Sequence, residues 1–313
     1  MIVTGNETPE ISSHTAQVNR AYLSAISVIA ALGGLLFGYD WVVIGGAKPF
    51  YEQYFQLNSP AQQGWAMSCA LVGCLSGAIV SGFLSDRFGR KPILILVAIV
   101  FGLTSLGTAG SNTFKEFVLW RMAGGLAIGL ASSLSPMYIA EIAPAEVRGR
   151  LVSLNQLTIV FGILLAQVVN WIIAKPVPLH AANVEILQSW NGQHGWRWMF
   201  GVTAFPATLF FLGMLLVPES PRWLIAAGNA TKARKILERI GGPVYSLEIS
   251  GEIAATQSLS GYEYVSSSSP RSDVQCLLAL PLPYCNSGAA STSFLTMLRR
   301  CLQLQDIRSQ AYF

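Results

Sequence analysis

Residues 64–110 read GWAMSCALVGCLSGAIVSGFLSDRFGRKPILILVAIVFGLTSLGTAG. Two apolar runs, Gly64–Leu84 and Pro92–Gly110, flank one short segment that carries Asp86, Arg87, Arg90 and Lys91. A helix needs about 20 mostly apolar residues to cross ~30 Å of hydrocarbon, and each run is about that long. The reading is therefore two membrane spans joined by a charged loop, and the rest of the chain follows from it.

Working outward, four more stretches qualify: Ala21–Ile44, Phe117–Ile139, Leu151–Ala174 and Trp198–Val217. Composition agrees, because 52% of the 313 residues are hydrophobic and only 12% are charged. A soluble domain carries roughly 25% charged residues. The net charge of +4 is small and gives no support to nucleic-acid binding. Residues 1–20 are polar and the run after them is too long for a signal-peptide core, so the first span is expected to stay in the membrane. Cys69, Cys74, Cys276, Cys285 and Cys301 form no C-x-x-C pair and have no histidine at ligand spacing. They read as unpaired thiols, with no metal site and no cofactor. His14, His180 and His194 all fall outside the spans, and no nucleophile–base set points to an enzyme.

Orientation follows from Lys and Arg in the short loops. With the amino terminus inside, one side collects Arg87, Arg90, Lys91, Arg148, Arg150, Arg222, Lys232, Arg234, Lys235 and Arg239. The other side holds Lys48, Lys115, Lys175 and Arg197. Ten against four places both ends of the bundle in the cytoplasm, in the cell inner (plasma) membrane. Trp65, Trp190, Trp196 and Trp198 lie near outer span ends, as an aromatic belt requires. After the sixth span, Pro221–Ile240 has the pattern of an amphipathic helix along the inner face, stopped by Gly241-Gly242-Pro243.

Spans one and four share a pattern, Gly33-Gly34-Leu35-Leu36-Phe37-Gly38 and Gly124-Gly125-Leu126-Ala127-Ile128-Gly129. Each opens a set of three spans. Glycine-interrupted helices at matching places in two repeats point to a transporter's central cavity, although small residues also serve plain helix packing. Asp40 lies just past the first copy and Arg121 just before the second, at the outer end of one span and the outer start of the other. Each charge costs roughly 2.5–3.5 kcal/mol at a helix centre, so the two are expected to pair. Such a pair is either a static tie between helices or a proton site that a conformational change switches.

A second group of charges lies on the inner side. Asp86, Arg87 and Arg90 stand between spans two and three, and Glu141, Glu146, Arg148 and Arg150 between spans four and five. Opposite charges at one membrane face form a latch that breaks when the bundle rocks. The orientation rule explains the arginines but not Asp86 and Glu141.

These residues carry a resemblance. Gly82-x-x-x-Asp86-Arg87-x-Gly89-Arg90-Lys91 is similar to the loop motif of the major facilitator superfamily. Pro218-Glu219-Ser220-Pro221-Arg222 resembles the signature of its sugar porter family. Ser135–Glu141, Arg148-Gly149 and Asn155-Gln156 agree with that family over residues ~20–245. The resemblance implies sugar–proton symport by alternating access, with Asp40 as the proton-coupling carboxylate and Arg121 as its partner. It implies that Phe37 and Gln156 meet the sugar, and that Asp86, Arg87, Gly89, Arg90, Glu141, Arg148, Glu219 and Arg222 form the latch. Ile163 stands where xylose carriers of the family have a second glutamine. The implied partners are a small-molecule sugar, a proton, the lipid bilayer and a second six-helix half.

Sugar porters have twelve spans and residues 243–313 contain no further one, so this segment is expected to be an aberrant or disordered tail. Ser246–Ser272 is Ser-rich, a composition that favours disorder. The family's seventh span carries a Gln-Gln-x-x-Gly-x-Asn run that is absent as written. Codons permitted by Asn286–Ser293, read in a neighbouring frame from the last base of Cys285, can spell QQWCGINV, and those to Gln305 can continue ILNYAEEVFAAAG. A frameshifted tail is the resulting expectation.

The sequence thus predicts an all-α membrane protein. Six helices in two three-helix repeats form the amino-terminal half of a major facilitator transporter, and a short cytoplasmic helix and a tail follow. The segments are 1–20, 21–217, 218–242 and 243–313. The rival expectations are a passive sugar facilitator, a non-functional truncated fragment and a membrane sensor.

Overall fold

The computed structural model of the protein describes residues 19–176 and 183–266. Among them there is no strand. The long helices are α1 (Arg20–Tyr54), α2 (Pro60–Phe88), α3 (Arg90–Gly110), α4 (Phe114–Ile142) and α5 (Ala145–Ile173). A short α6 (Asn183–Gln188) leads to a π-helical turn, Asn191–Gly195, which continues through α7 (Trp196–Gly201) and α8 (Ala204–Leu216). Then come α9 (Pro221–Ala226) and α10 (Ala230–Ser266). Six of these segments are long and apolar enough to cross a membrane, the sixth being Asn191–Leu216. All six overlap the runs read from the sequence.

The helices outrun their apolar cores for local reasons. α1 continues through Pro49 to Tyr54. α4 starts at a capping box, in which Thr113 and Glu116 satisfy each other's backbone N–H groups. α5 begins at Ala145, so Arg148 and Arg150 lie within its first turns rather than in a loop.

The two most extensively packed helix pairs are α1 with α5 and α2 with α4. Both are built on glycine, and in the same register. A Cβ on Gly34 would press on the carbonyl of Asn155, and one on Gly38 would overlap the carbonyl of Ile159. In the second repeat Gly125 and Gly129 meet the carbonyls of Ala70 and Cys74 in the same way. The partner helices reciprocate, Gly162 against the Leu35 carbonyl and Gly77 against that of Leu126. The two GGLxxG runs are thus close-approach surfaces that bring backbones together where no larger side chain fits. Carried through this register, Asp40 corresponds to Ala131 and Arg121 to Ala30, both buried alanines. Each repeat therefore contributes one charge that the other lacks.

Four expectations need correction. Pro221–Ile240 is not one helix, because Gly228, with φ +77°, breaks it between α9 and α10. The stop at Gly241-Gly242-Pro243 is a kink at Gly242 (φ 84°, ψ 179°), after which a helix resumes and runs to Ser266. Residues 243–266 are therefore helical and not a disordered tail. Pro243 suits a first helical position, the Ser246 hydroxyl donates to the Pro243 carbonyl, and Ile253 is buried. Trp196 is not a belt residue either. It is fully buried among Tyr54, Phe55, Phe117 and Phe200. Contacts divide the chain into two units at Gln257, and of the second only the helical stretch 258–266 is described. The reading of 267–313, frame and cysteines included, lies outside the described residues, as do residues 1–18 with His14, and His180.

Candidate functional site

Asp40 on α1 and Arg121 on α4 meet through a hydrogen-bonded ion pair. Each is more than nine-tenths buried, with Asp40 8% and Arg121 6% exposed. Arg121 is held from a second side by Phe200 of α7, whose ring centroid lies 5.4 Å from the guanidinium carbon. Its Nε finds no acceptor among the described residues. The pair lines a cleft of about 140 Å³ together with Phe37, Trp41, Leu71 and Cys74. Phe37 and Trp41 are stacked, 6.3 Å apart and 22° from parallel. The cleft thus combines one fixed ion pair with a two-ring apolar wall. Such a wall suits the flat apolar face of a ring-shaped ligand, and the charges suit its polar edge.

The structure brings Phe37, Asp40 and Arg121 together as the sequence predicted, and does not bring Gln156 to that cleft. Gln156 is exposed on α5, while its neighbour Asn155 is buried against Gly34. Phe200 was not singled out, because one aromatic among many in an apolar span has no distinguishing signal.

At the other end of the bundle a network forms around Arg90. Its guanidinium is 1% exposed and donates twice to Glu141, at 2.9 and 3.2 Å, and to the carbonyl of Ser85 at 3.0 Å. Asp86 lies 3.4 Å away, four residues back across the turn between α2 and α3. The Glu219 carboxylate accepts from the backbone N–H groups of Arg90 and Lys91, each at 3.1 Å, and of Ser220 at 2.8 Å. Gly89, at φ +95°, makes the turn, and a Cβ there would crowd Glu219. A side chain would be both strained and obstructed at this place.

Ser220 and Tyr138 complete the network. The Ser220 hydroxyl donates to Glu141 at 2.5 Å and the Tyr138 hydroxyl donates to the Pro218 carbonyl at 2.5 Å. The Trp223 indole N–H donates to the Asp86 carbonyl at 2.9 Å. Burial pushes the Glu219 carboxyl above its usual range, and the three N–H donors only partly offset it. Arg222 is pushed below its usual range, first by burial and then by Arg148 nearby. Of the eight predicted latch residues, Asp86, Gly89, Arg90, Glu141 and Glu219 meet directly. Arg87 lies over the Phe88 ring at 5.7 Å, and Arg148 donates to the Ala143 carbonyl at 3.4 Å. Among the described residues no group of His, Cys, Asp and Glu could hold a metal ion.

A family model described as "Sugar (and other) transporter" matches residues 26–292. The chain is 42% identical over 251 residues to a glucose transport protein of Synechocystis sp., covering 80% of this chain and 52% of that protein. It is 39% identical over 262 residues to the D-xylose–proton symporter of Escherichia coli, covering 76% of this chain and 52% of that protein. The arabinose–proton symporter of Bacillus subtilis is 41% identical, over 75% of this chain and 48% of its own. A solved proton:xylose symporter bound to 6-bromo-6-deoxy-D-glucose aligns with a TM-score of 0.70 at 38% identity, covering 75% of this chain and 53% of that one. The chain thus spans about half the length of the curated relatives it matches. Six helices in two glycine-matched repeats, a buried charge from each, and these similarities have one meaning: the chain belongs to the sugar transporter family of the major facilitator superfamily.

Proposed function

We propose that this chain forms the amino-terminal half of a sugar porter that carries a pentose or hexose across the cell inner membrane together with a proton. The buried Asp40–Arg121 pair at the edge of the Phe37–Trp41 cleft carries this reading. In the low dielectric of the bundle the pair is stable as long as both charges stay together. A rocking motion that draws Arg121 away leaves Asp40 without its counter-charge, a state that a proton neutralises. Sugar binding and proton binding are then linked through one movement. Phe37 supplies the apolar wall, and a sugar that extends beyond this cleft toward α5 meets the exposed Gln156 there with its hydroxyls. A second six-helix half closes the site from the other side. The Arg90–Glu141–Glu219 network locks the proposed cytoplasmic face until the bundle rocks. Two relatives that are proton symporters by name support the coupling.

The test is Asp40→Asn in a full-length porter carrying this half. Sugar accumulation against a gradient is expected to vanish, while exchange of labelled for unlabelled sugar persists. Undiminished accumulation would show that Asp40 is not the coupling group and favour a passive carrier.

A further inference from the structure

A second cleft, of about 460 Å³, opens beside the Arg90 network. Its walls are Phe88 at the end of α2, Pro92 at the start of α3, Trp223 of α9, and Lys232, Lys235 and Arg239 of α10. The three cations stand three and four residues apart, so they share one face of α10. The adjoining face, Ala233, Leu237 and Ile240, is buried and fixes the helix against the bundle. All three cations are exposed, and no carboxylate among the described residues lies within ion-pair distance of them. Glu219 also lines the cleft, but its carboxylate is already taken by the N–H groups of Arg90, Lys91 and Ser220.

The result is three positive charges without an ion-pair partner among the described residues, on one helix face beside an apolar and aromatic floor. Like charges held this close repel, and an anion relieves them. The floor decides which anion. A soluble phosphate gains nothing from Phe88, Pro92 or Trp223, whereas an amphiphile uses both the charges and the floor. The cleft also opens where spans α2, α3 and α8 end, which is the depth of lipid headgroups. Basic clusters on amphipathic helices at this level draw acidic lipids.

We propose that this cleft binds an acidic phospholipid, with its phosphate at Lys232, Lys235 and Arg239 and its glycerol and upper chain over Phe88 and Trp223. The site is separate from the Asp40 cleft and stands whether or not the chain carries sugar.

The experiment titrates the purified 313-residue chain in detergent with phosphatidylglycerol, phosphatidylcholine or inorganic phosphate, and counts bound molecules by native mass spectrometry. Phosphatidylglycerol is expected to be retained and phosphatidylcholine lost. The triple variant Lys232→Gln, Lys235→Gln, Arg239→Gln is expected to weaken retention roughly fivefold per cation, about 100-fold in all. Arg234→Gln, on the same helix but outside the cleft, should leave retention unchanged and controls for general charge loss. Equal retention by the triple variant would place the lipid elsewhere and overturn the proposal. Equal retention of phosphatidylcholine would show that charge is not read. Displacement of the lipid by an equal concentration of inorganic phosphate would make the ligand a free phosphate and overturn the lipid assignment.

Discussion

Arg121 is clasped between Asp40 on one side and the ring of Phe200 on the other. The carboxylate neutralises its charge, and the ring face supplies a second attraction that costs no further charge. A desolvated contact of this kind contributes roughly 0.5–2 kcal/mol. Phe200→Leu alone would mix that term with lost volume, so a double-mutant cycle is the appropriate measure. The substitution is made once in the native chain and once beside Arg121→Met with Asp40→Asn, and each form is melted in detergent. A coupling of about 1 kcal/mol is expected between the ring and the ion pair. A cycle that closes to zero would make Phe200 mere filler.

The glycine register makes a sharper steric prediction. Ile159 presents its backbone carbonyl to Gly38, and a carbonyl cannot rotate aside as a side chain would. Gly38→Ala must therefore push α1 and α5 apart, at a cost of about 1–3 kcal/mol. Gly64 in α2 has open space where its Cβ would be. Gly64→Ala should be neutral or slightly stabilising, because alanine is the better helix former. Comparing the two melting temperatures checks the register, and equal effects would show that the helices do not approach as closely as described.

Much of this fold was legible because membrane spans announce themselves by length and apolarity alone. The pairing of Asp40 with Arg121 was legible too, since two lone charges in hydrocarbon have few remedies besides each other. What the sequence hid depends on contact rather than composition. Gln156 and Asn155 are neighbours of like chemistry, yet only Asn155 packs onto Gly34. Ser220 looks like any serine until its hydroxyl meets Glu141. Trp196 at a span end reads as a belt residue, and only the rings around it make it core. The Ser-rich composition after residue 243 concealed a helix because Leu247, Ile249 and Ile253 are spaced among the serines.

The reading frame of the tail is testable at once. The proposal that Cys285–Gln305 are read out of frame requires a single shift that restores a Gln-Gln-x-x-Gly-x-Asn run. One nucleotide read across these codons is expected to show that run in the neighbouring frame. Its absence from both alternative frames would end the idea and leave the tail as a native segment.

The last prediction concerns pH and Glu219. Burial raises its carboxyl above the usual range, and the N–H groups of Ser220, Lys91 and Arg90 pull it back by less. The folded chain therefore holds a proton at this site more readily than the unfolded chain does. A group with a raised folded value contributes stability that is fully present below its unfolded value and is lost as pH rises through the folded one. The window begins at the ordinary carboxylate range and extends upward from it. Glu219→Gln removes the titration while keeping one oxygen for the N–H donors. Relative to that variant, the native chain should lose stability as pH rises across the window and then level off. Detergent melts of both proteins at stepped pH measure the difference, which cancels every other titrating group the two share. A native chain that instead gains on the variant as pH rises would mean that the three donors outweigh burial. Glu219 would then be a carboxylate anchored by its hydrogen bonds rather than one strained by its surroundings.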